Sequence, residues 1–146
     1  MAQHFGYAVC LVFATTLIHV ACTLGVIRWI RSLEARRHVT RSAVVHATFI
    51  GALILGMSLA AFCESALWAA LYVGVGALPN MDDALYFSLV TFTTLGYGDI
   101  SLGKDWRLLS AFEAANGIIL FGWTTAIIIA FLQRLLRLTS PSNIEK

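Results

Sequence analysis

The sequence predicts an all-α membrane protein with three spanning helices and one shorter, re-entrant helix. Three observations carry that prediction. The 146 residues are 59% hydrophobic and only 12% charged, where a soluble domain carries roughly 25%, and the mean hydropathy is +0.80. Three apolar stretches are long enough for the roughly 20 helical residues that cross a bilayer. Between the second and third lies a semi-apolar segment, 82–93, too short to cross and return as two helices.

The first stretch runs from Phe5 to Ile27. Only His4, and no Lys or Arg, precedes it, so it is expected to be a retained spanning helix rather than a signal peptide. The second runs from Ser42 to Leu78, interrupted by His46 and Glu64. At about 1.5 Å per residue it is too long for one upright span, so it must tilt or rise above the membrane beyond about Trp68. Pro79-Asn80 then breaks it. Asp82 and Asp83 suit the N-cap and first turn of the short helix, where carboxylates favour the positive end of the helix dipole. The third stretch, Leu108 to Gln133, is interrupted only by Glu113. The expected divisions are residues 1–41 as an extra helix with a basic link, 42–137 as one unit, and 138–146 as a short tail. Within that unit the helices are expected at 42–78, 82–93 and 107–137, with a strand at 94–98.

Charge sets the expected orientation. Arg28, Arg31, Arg36, Arg37 and Arg41 crowd the link between the first two spans, and Arg134, Arg137 and Lys146 follow the third. The positive-inside rule puts that link and the C-terminus in the cytoplasm, and the N-terminus and the re-entrant loop's entry outside. A net charge of +2 with no basic reading surface argues against a nucleic-acid partner. Cys10, Cys22 and Cys63 have no paired spacing and are expected to be reduced packing residues within helices. The four histidines show no ligand spacing that would favour a metal or haem. Arg28 and Arg31 are too few for a voltage sensor and read as interface anchors.

Thr93 to Asp99 read Thr-Thr-Leu-Gly-Tyr-Gly-Asp. A dehydrated K⁺ must be surrounded by oxygens that replace its water, and rings of backbone carbonyls can do that. Turning successive carbonyls toward one axis needs a backbone that glycine tolerates and other residues resist. Gly96 and Gly98 stand at alternate positions, and the Thr94 side chain would add a further oxygen ring.

The stretch from about Asp82 to Arg137 resembles the pore module of tetrameric potassium channels. The matching pieces are Ala84-Leu85-Tyr86-Phe87-Ser88, then Thr91 through Asp99, then Trp106, then Gly117 in the last apolar helix. With the preceding span, the resemblance covers roughly two thirds of the chain, and it looks closest to small bacterial channels with one pore loop per chain. It implies a homotetramer in the plasma (inner) membrane, among membrane lipids, that conducts K⁺ passively. It implies no catalysed reaction, no small-molecule substrate and no cofactor beyond the permeant ion. Thr94, Leu95, Gly96 and Tyr97 would coordinate K⁺, with Gly98 completing the filter. Asp99, Tyr86, Phe87, Val90 and Thr93 would support it: Asp99 bonded to Tyr86, and Tyr97 packed against Tyr86 and Phe87. Where some relatives carry a buried Glu, this chain has Val90, so a filter-closing mechanism built on a carboxyl pair is not expected. Two rival readings share the fold: a non-conducting or regulatory subunit, and a K⁺ transporter subunit.

Gly117 and Gly122 admit two roles, a gating hinge or close helix packing. Ile118, Phe121 and Thr125 would face a cavity below the filter at helical spacing. Glu64 and Glu113 are acids within apolar spans, either bonded to neighbouring helices or titrating. Ala52, Gly56 and Ala60 recur every four residues and would let another helix approach closely.

Overall fold

The computed structural model describes residues 2–35 and 43–139. Four helices follow one another: α1 (Ala2–Ala35), α2 (Ala43–Gly74), α3 (Met81–Phe92) and α4 (Arg107–Thr139), with no strand among the described residues. Three of them contain stretches long and apolar enough to cross a membrane: Phe5–Trp29, Ala47–Gly74 and Arg107–Arg134. Arg36, Arg37 and Arg41 of the basic link lie outside the described residues, as does Lys146. Helix α4 takes in the first two residues of the expected tail; the rest of it also lies outside.

Helix α2 stops at Gly74, before the expected Leu78. The stop is a Schellman motif. Gly76 adopts φ 72°, its N–H donates to Val73 O at 3.0 Å, and Ala77 N–H donates to Tyr72 O at 2.8 Å. Glycine supplies the left-handed residue without Cβ strain, so the chain turns before Pro79 is reached. The cap of α3 is Asn80 rather than Asp82 or Asp83. Asn80 Oδ1 accepts from Asp83 N–H at 2.8 Å, and its Nδ2 donates to Asp83 Oδ2 at 2.8 Å. Asp82 and Asp83 occupy the first turn, where the dipole favours them.

The spans bury two apolar clusters. One gathers Trp68 and Tyr72 of α2, Phe87 and Phe92 of α3, and Leu109 and Leu120 of α4. The other joins Leu53 and Met57 of α2 to Phe131 of α4. The buried face of α2 is thus Leu53, Met57, Ala60 and Glu64, at helical spacing. Of the small-residue stripe only Ala60 lies on it: Ala52 and Gly56 are exposed, and a Cβ on Gly56 would meet nothing within 4 Å. At the level of Ala52 and Gly56 the intrachain contact is made by Leu53 and Met57. Cys10 and Cys63 are also exposed, and all three cysteines are free.

Lipid is as apolar as leucine, so apolar contact alone does not drive helices together in a bilayer; packing and interhelical hydrogen bonds do. A polar layer meets that need. Asn116 Nδ2 of α4 donates to Thr15 Oγ1 of α1 at 2.8 Å. His19 Nδ1 of α1 lies 3.0 Å from Glu64 Oε1 of α2, and His19 Nε2 lies 3.3 Å from Thr124 Oγ1 of α4. The Trp123 ring meets the His19 ring edge to face at 5.6 Å. Helix α1 is therefore tied to both other spans, and the two buried residues His19 and Glu64 are each other's partner.

Candidate functional site

Helix α3 is held from behind by one buried carboxyl. Glu113 of α4 accepts from Tyr72 Oη of α2 at 2.6 Å through Oε2, and its Oε1 pairs with Ser88 Oγ of α3. Ser88 Oγ also donates to the Ser65 carbonyl oxygen of α2 at 2.6 Å. Ser88 has one hydroxyl proton and two acceptors in reach. Both bonds form together when Glu113 carries a proton and donates it to Ser88, leaving the serine hydroxyl for Ser65. Of the two roles the sequence left open to Glu113, the structure shows bonds to neighbouring helices; sequence reasoning missed Tyr72, Ser65 and the His19–Glu64 pair. Their signal was the same one, polar groups inside apolar spans.

The end of α3 sets the conformation of the Thr93–Asp99 segment. Thr94 N–H donates to Thr91 O at 2.9 Å and Leu95 N–H to Val90 O at 3.0 Å, while Gly96 N–H reaches Val90 O at 3.3 Å. This is a second Schellman motif, but with Thr94 where Gly76 stood in the first. Thr94 has φ 61°, and it is the one non-glycine residue with positive φ among the described residues. A β-branched residue there costs of order 1–3 kcal/mol and persists only when its surroundings impose it. Thr93 adds a side-chain bond, its Oγ1 donating to Leu89 O at 2.6 Å.

Positive φ then recurs at Gly96 (56°) and Gly98 (78°). The sign of φ therefore alternates from Thr94 to Gly98. An ordinary strand turns successive carbonyls to opposite sides; alternation in the sign of φ can bring them to one side, the disposition that carbonyl coordination of a bare cation requires. The whole run Thr93–Asp99 is exposed in the single chain, with Leu95 at 59% and Tyr97 at 67%.

At the far end the structure brings Tyr86 and Asp99 together, Tyr86 Oη donating to Asp99 Oδ2 at 2.6 Å. That bond holds the Asp99 carboxyl below the usual carboxylate range and pushes the Tyr86 phenol up. Phe87 does not share this cluster; its ring packs edge to face on Tyr72 at 5.3 Å. Tyr97, expected against Tyr86 and Phe87, stands largely free within the chain because nothing intrachain covers that side of the segment. A cleft of about 390 Å³ opens beside it, bordered by Tyr86, Val90, Gly96, Asp99 and Arg107.

On α4, Gly117 is a contact point. A Cβ there would lie 2.9 Å from the Phe92 carbonyl carbon and closer still to its oxygen. Its neighbour Asn116 is bonded to α1. Of the two roles open to Gly117, the structure carries close packing. Gly122 differs, since a Cβ there meets nothing within 4 Å. Ile118, Phe121, Gly122 and Thr125 are exposed along α4, and the Phe121 ring meets Phe92 edge to face at 5.8 Å.

A family model described as an ion channel matches residues 45–134, from the start of α2 through most of α4. The chain belongs to this ion channel family. No curated protein and no solved structure matches it. In this ion channel α1 lies before the matched stretch, yet Thr15 and His19 bond it to residues inside that stretch. The channel's short helix α3 touches both α2 and α4, so the exposed segment that follows it is anchored on two spans.

Proposed function

We propose that this ion channel is selective for K⁺ and that four copies of the chain surround one axis, each supplying a quarter of the filter. The observation that carries the reading is the alternation of positive φ at Thr94, Gly96 and Gly98, in an exposed segment hung from the end of α3. The backbone carbonyls of Thr94, Leu95, Gly96 and Tyr97 would replace the water of a K⁺ ion, and the exclusion of Na⁺ would come from the number and placement of those oxygens. Glycine at position 94 would be the unstrained choice for a Schellman motif. A threonine held there against its preference supports a use for its hydroxyl, as the innermost oxygen ring. Exposure of Leu95 and Tyr97 supports assembly, because a filter must be covered by neighbouring copies.

In this reading residues 42–137 form the pore unit. Glu113 with Ser88, and Tyr86 with Asp99, brace the filter from behind and at its mouth. Ile118, Phe121 and Thr125 line the cavity beneath, and Gly122, with room around it, is the position where α4 bends. The basic link and the C-terminus lie in the cytoplasm of a plasma membrane, and the N-terminus outside.

The test is ion flux through the purified protein in liposomes, with K⁺ and Na⁺ on opposite sides. A reversal potential near that of K⁺, lost in Gly96→Ala, is the expected result. A current that does not distinguish the two ions would overturn K⁺ selectivity. A folded tetramer with no flux under any stimulus would instead favour a non-conducting subunit.

A further inference from the structure

One short stretch of α2 carries three buried polar atoms that no other side chain satisfies. Glu64 Oε2, Ser65 Oγ and Trp68 Nε1 are shut off from solvent and have no hydrogen-bond partner among the described residues. An unpaired group of this kind costs about 1–3 kcal/mol, so buried polar atoms are satisfied by protein or by ordered water. The other Glu64 oxygen is already engaged, 3.0 Å from His19 Nδ1. Helical spacing puts the three residues on one patch. At about 100° per residue, Trp68 lies about 40° round the helix from Glu64 and about 60° from Ser65, between the two and one turn further on. Long side chains in a helix lean back over the preceding turn, here the turn that carries Glu64 and Ser65. The three atoms also select what fits among them. The indole N–H only donates, the carboxylate oxygen only accepts, and the hydroxyl does either. A cation is opposed by the indole N–H and an anion by the carboxylate. A water accepts from the one, donates to the other and pairs with the hydroxyl, which makes about three bonds, the usual number for a buried water.

We propose that a single resident water binds here, accepting from Trp68 Nε1, donating to Glu64 Oε2 and pairing with Ser65 Oγ. It holds the Glu64 carboxyl by the oxygen that His19 leaves open. The polar layer that begins at His19 of α1 thereby continues along α2 to Ser65, whose carbonyl accepts from Ser88 of α3. The site does not depend on which ion the channel passes, and its test reads neither flux nor assembly.

The full-length protein, with isotope-labelled tryptophan and in deuterated detergent, is studied by NMR. Of its four indole signals, the Trp68 signal is the one that Trp68→Phe removes. A rotating-frame cross-peak between that indole proton and water is expected, with the sign of direct dipolar contact and not that of chemical exchange. Ser65→Ala removes a hydroxyl whose exchanging proton could mimic water, and it is expected to keep the cross-peak. His19→Leu/Glu64→Leu removes the acceptor without stranding its partner, and it is expected to abolish the cross-peak. A wild-type protein without the dipolar cross-peak would overturn the proposal. So would its loss in Ser65→Ala, which would mean that the hydroxyl and not a water lies beside the indole. Survival at full intensity in the double leucine variant would overturn it too, because Glu64 would then hold nothing there. The wild-type and Ser65→Ala spectra decide the question even where the leucine variant does not fold.

Discussion

Replacing Gly117 with alanine separates packing from hinging. In a helix interior, Gly→Ala ordinarily gains about 1 kcal/mol from propensity. At Gly117 the added methyl would sit 2.9 Å from the Phe92 carbonyl carbon and 3.1 Å from its Cα. Carbon atoms pack at about 3.5 Å or more, so the carbonyl carbon alone requires a shift of ~0.6 Å, and the Phe92 carbonyl oxygen, which lies closer still, requires more. The obstructing atoms are backbone, which cannot rotate away as a side chain would. Overpacking of this kind costs about 1–3 kcal/mol. The clash should therefore outweigh the propensity gain, leaving a net loss of up to about 2 kcal/mol. Because Phe92 ends α3 and Thr94 follows it closely, the shift should also disturb the Thr94 conformation and, on the proposed function, weaken discrimination between K⁺ and Na⁺.

Thermal unfolding in detergent, followed by circular dichroism, measures the first effect, and the reversal potential measures the second. At this chain length 1 kcal/mol moves the midpoint by about 2–4 °C, so a drop of several degrees is expected. Gly122→Ala is the control: with nothing near its Cβ, it should be neutral or slightly stabilising. The reasoning fails if Gly117→Ala unfolds at or above the wild-type temperature with selectivity intact, because the helices would then have room that the coordinates deny them.

Three further outcomes follow from the buried and mouth contacts. Glu113→Gln should unfold close to the wild-type temperature, since an amide can accept from Tyr72 and pair with Ser88; Glu113→Ala, which orphans the Tyr72 hydroxyl while Ser88 keeps its bond to the Ser65 carbonyl, should lose about 1–3 kcal/mol in the same assay. His19→Ala, leaving Glu64 buried without its partner, should cost about 3 kcal/mol, whereas the double variant His19→Leu/Glu64→Leu should be far less destabilised; equal losses would show that the two residues do not act as a pair. At the mouth, the depressed Asp99 carboxyl contributes stability that is fully present above the usual carboxylate range near pH 4 and is lost as pH falls through its lowered value. Tyr86→Phe removes the hydroxyl that causes the depression, so unfolding midpoints measured from about pH 6 to pH 2 should show a shallower acid limb than in the wild type; superimposable limbs would deny the Tyr86–Asp99 bond a role in acid stability.

Length and composition were enough to place the three spans, because a membrane helix announces itself by an unbroken apolar run. The short helix was legible for a related reason: two aspartates open a semi-apolar stretch too short to cross. Its cap was misplaced because Asn80 was read as a breaker after Pro79, although the same residue type both ends and begins helices. The end of α2 was misplaced because Gly76, inside an apolar run, carries no hydropathic signal, and its left-handed conformation depends on carbonyls that only the folded helix presents. The stripe of Ala52, Gly56 and Ala60 misled for a different reason. Small-residue spacing signals a close approach without saying whether the partner is in the same chain, and within this chain only Ala60 of the three is buried, on the face where the larger Leu53 and Met57 make the contact.

The role of the extra helix could not be read from α1 alone, because its polar residues have meaning only opposite their partners. Thr15 meets Asn116, the residue beside Gly117. His19 meets Glu64, next along α2 to Ser65, whose carbonyl holds Ser88 of α3. These two bonds from α1 thus end one residue away from a contact that positions α3. Helix α3 in turn fixes Thr94 through the carbonyls of Val90 and Thr91. Each of these contacts is local and polar, and in lipid, where apolar association is weak, such contacts carry much of the specificity of helix packing. The first helix therefore does more than add apolar surface to the bundle: it bonds to α2 and α4 at residues adjoining those against which the short helix and its strained threonine are set.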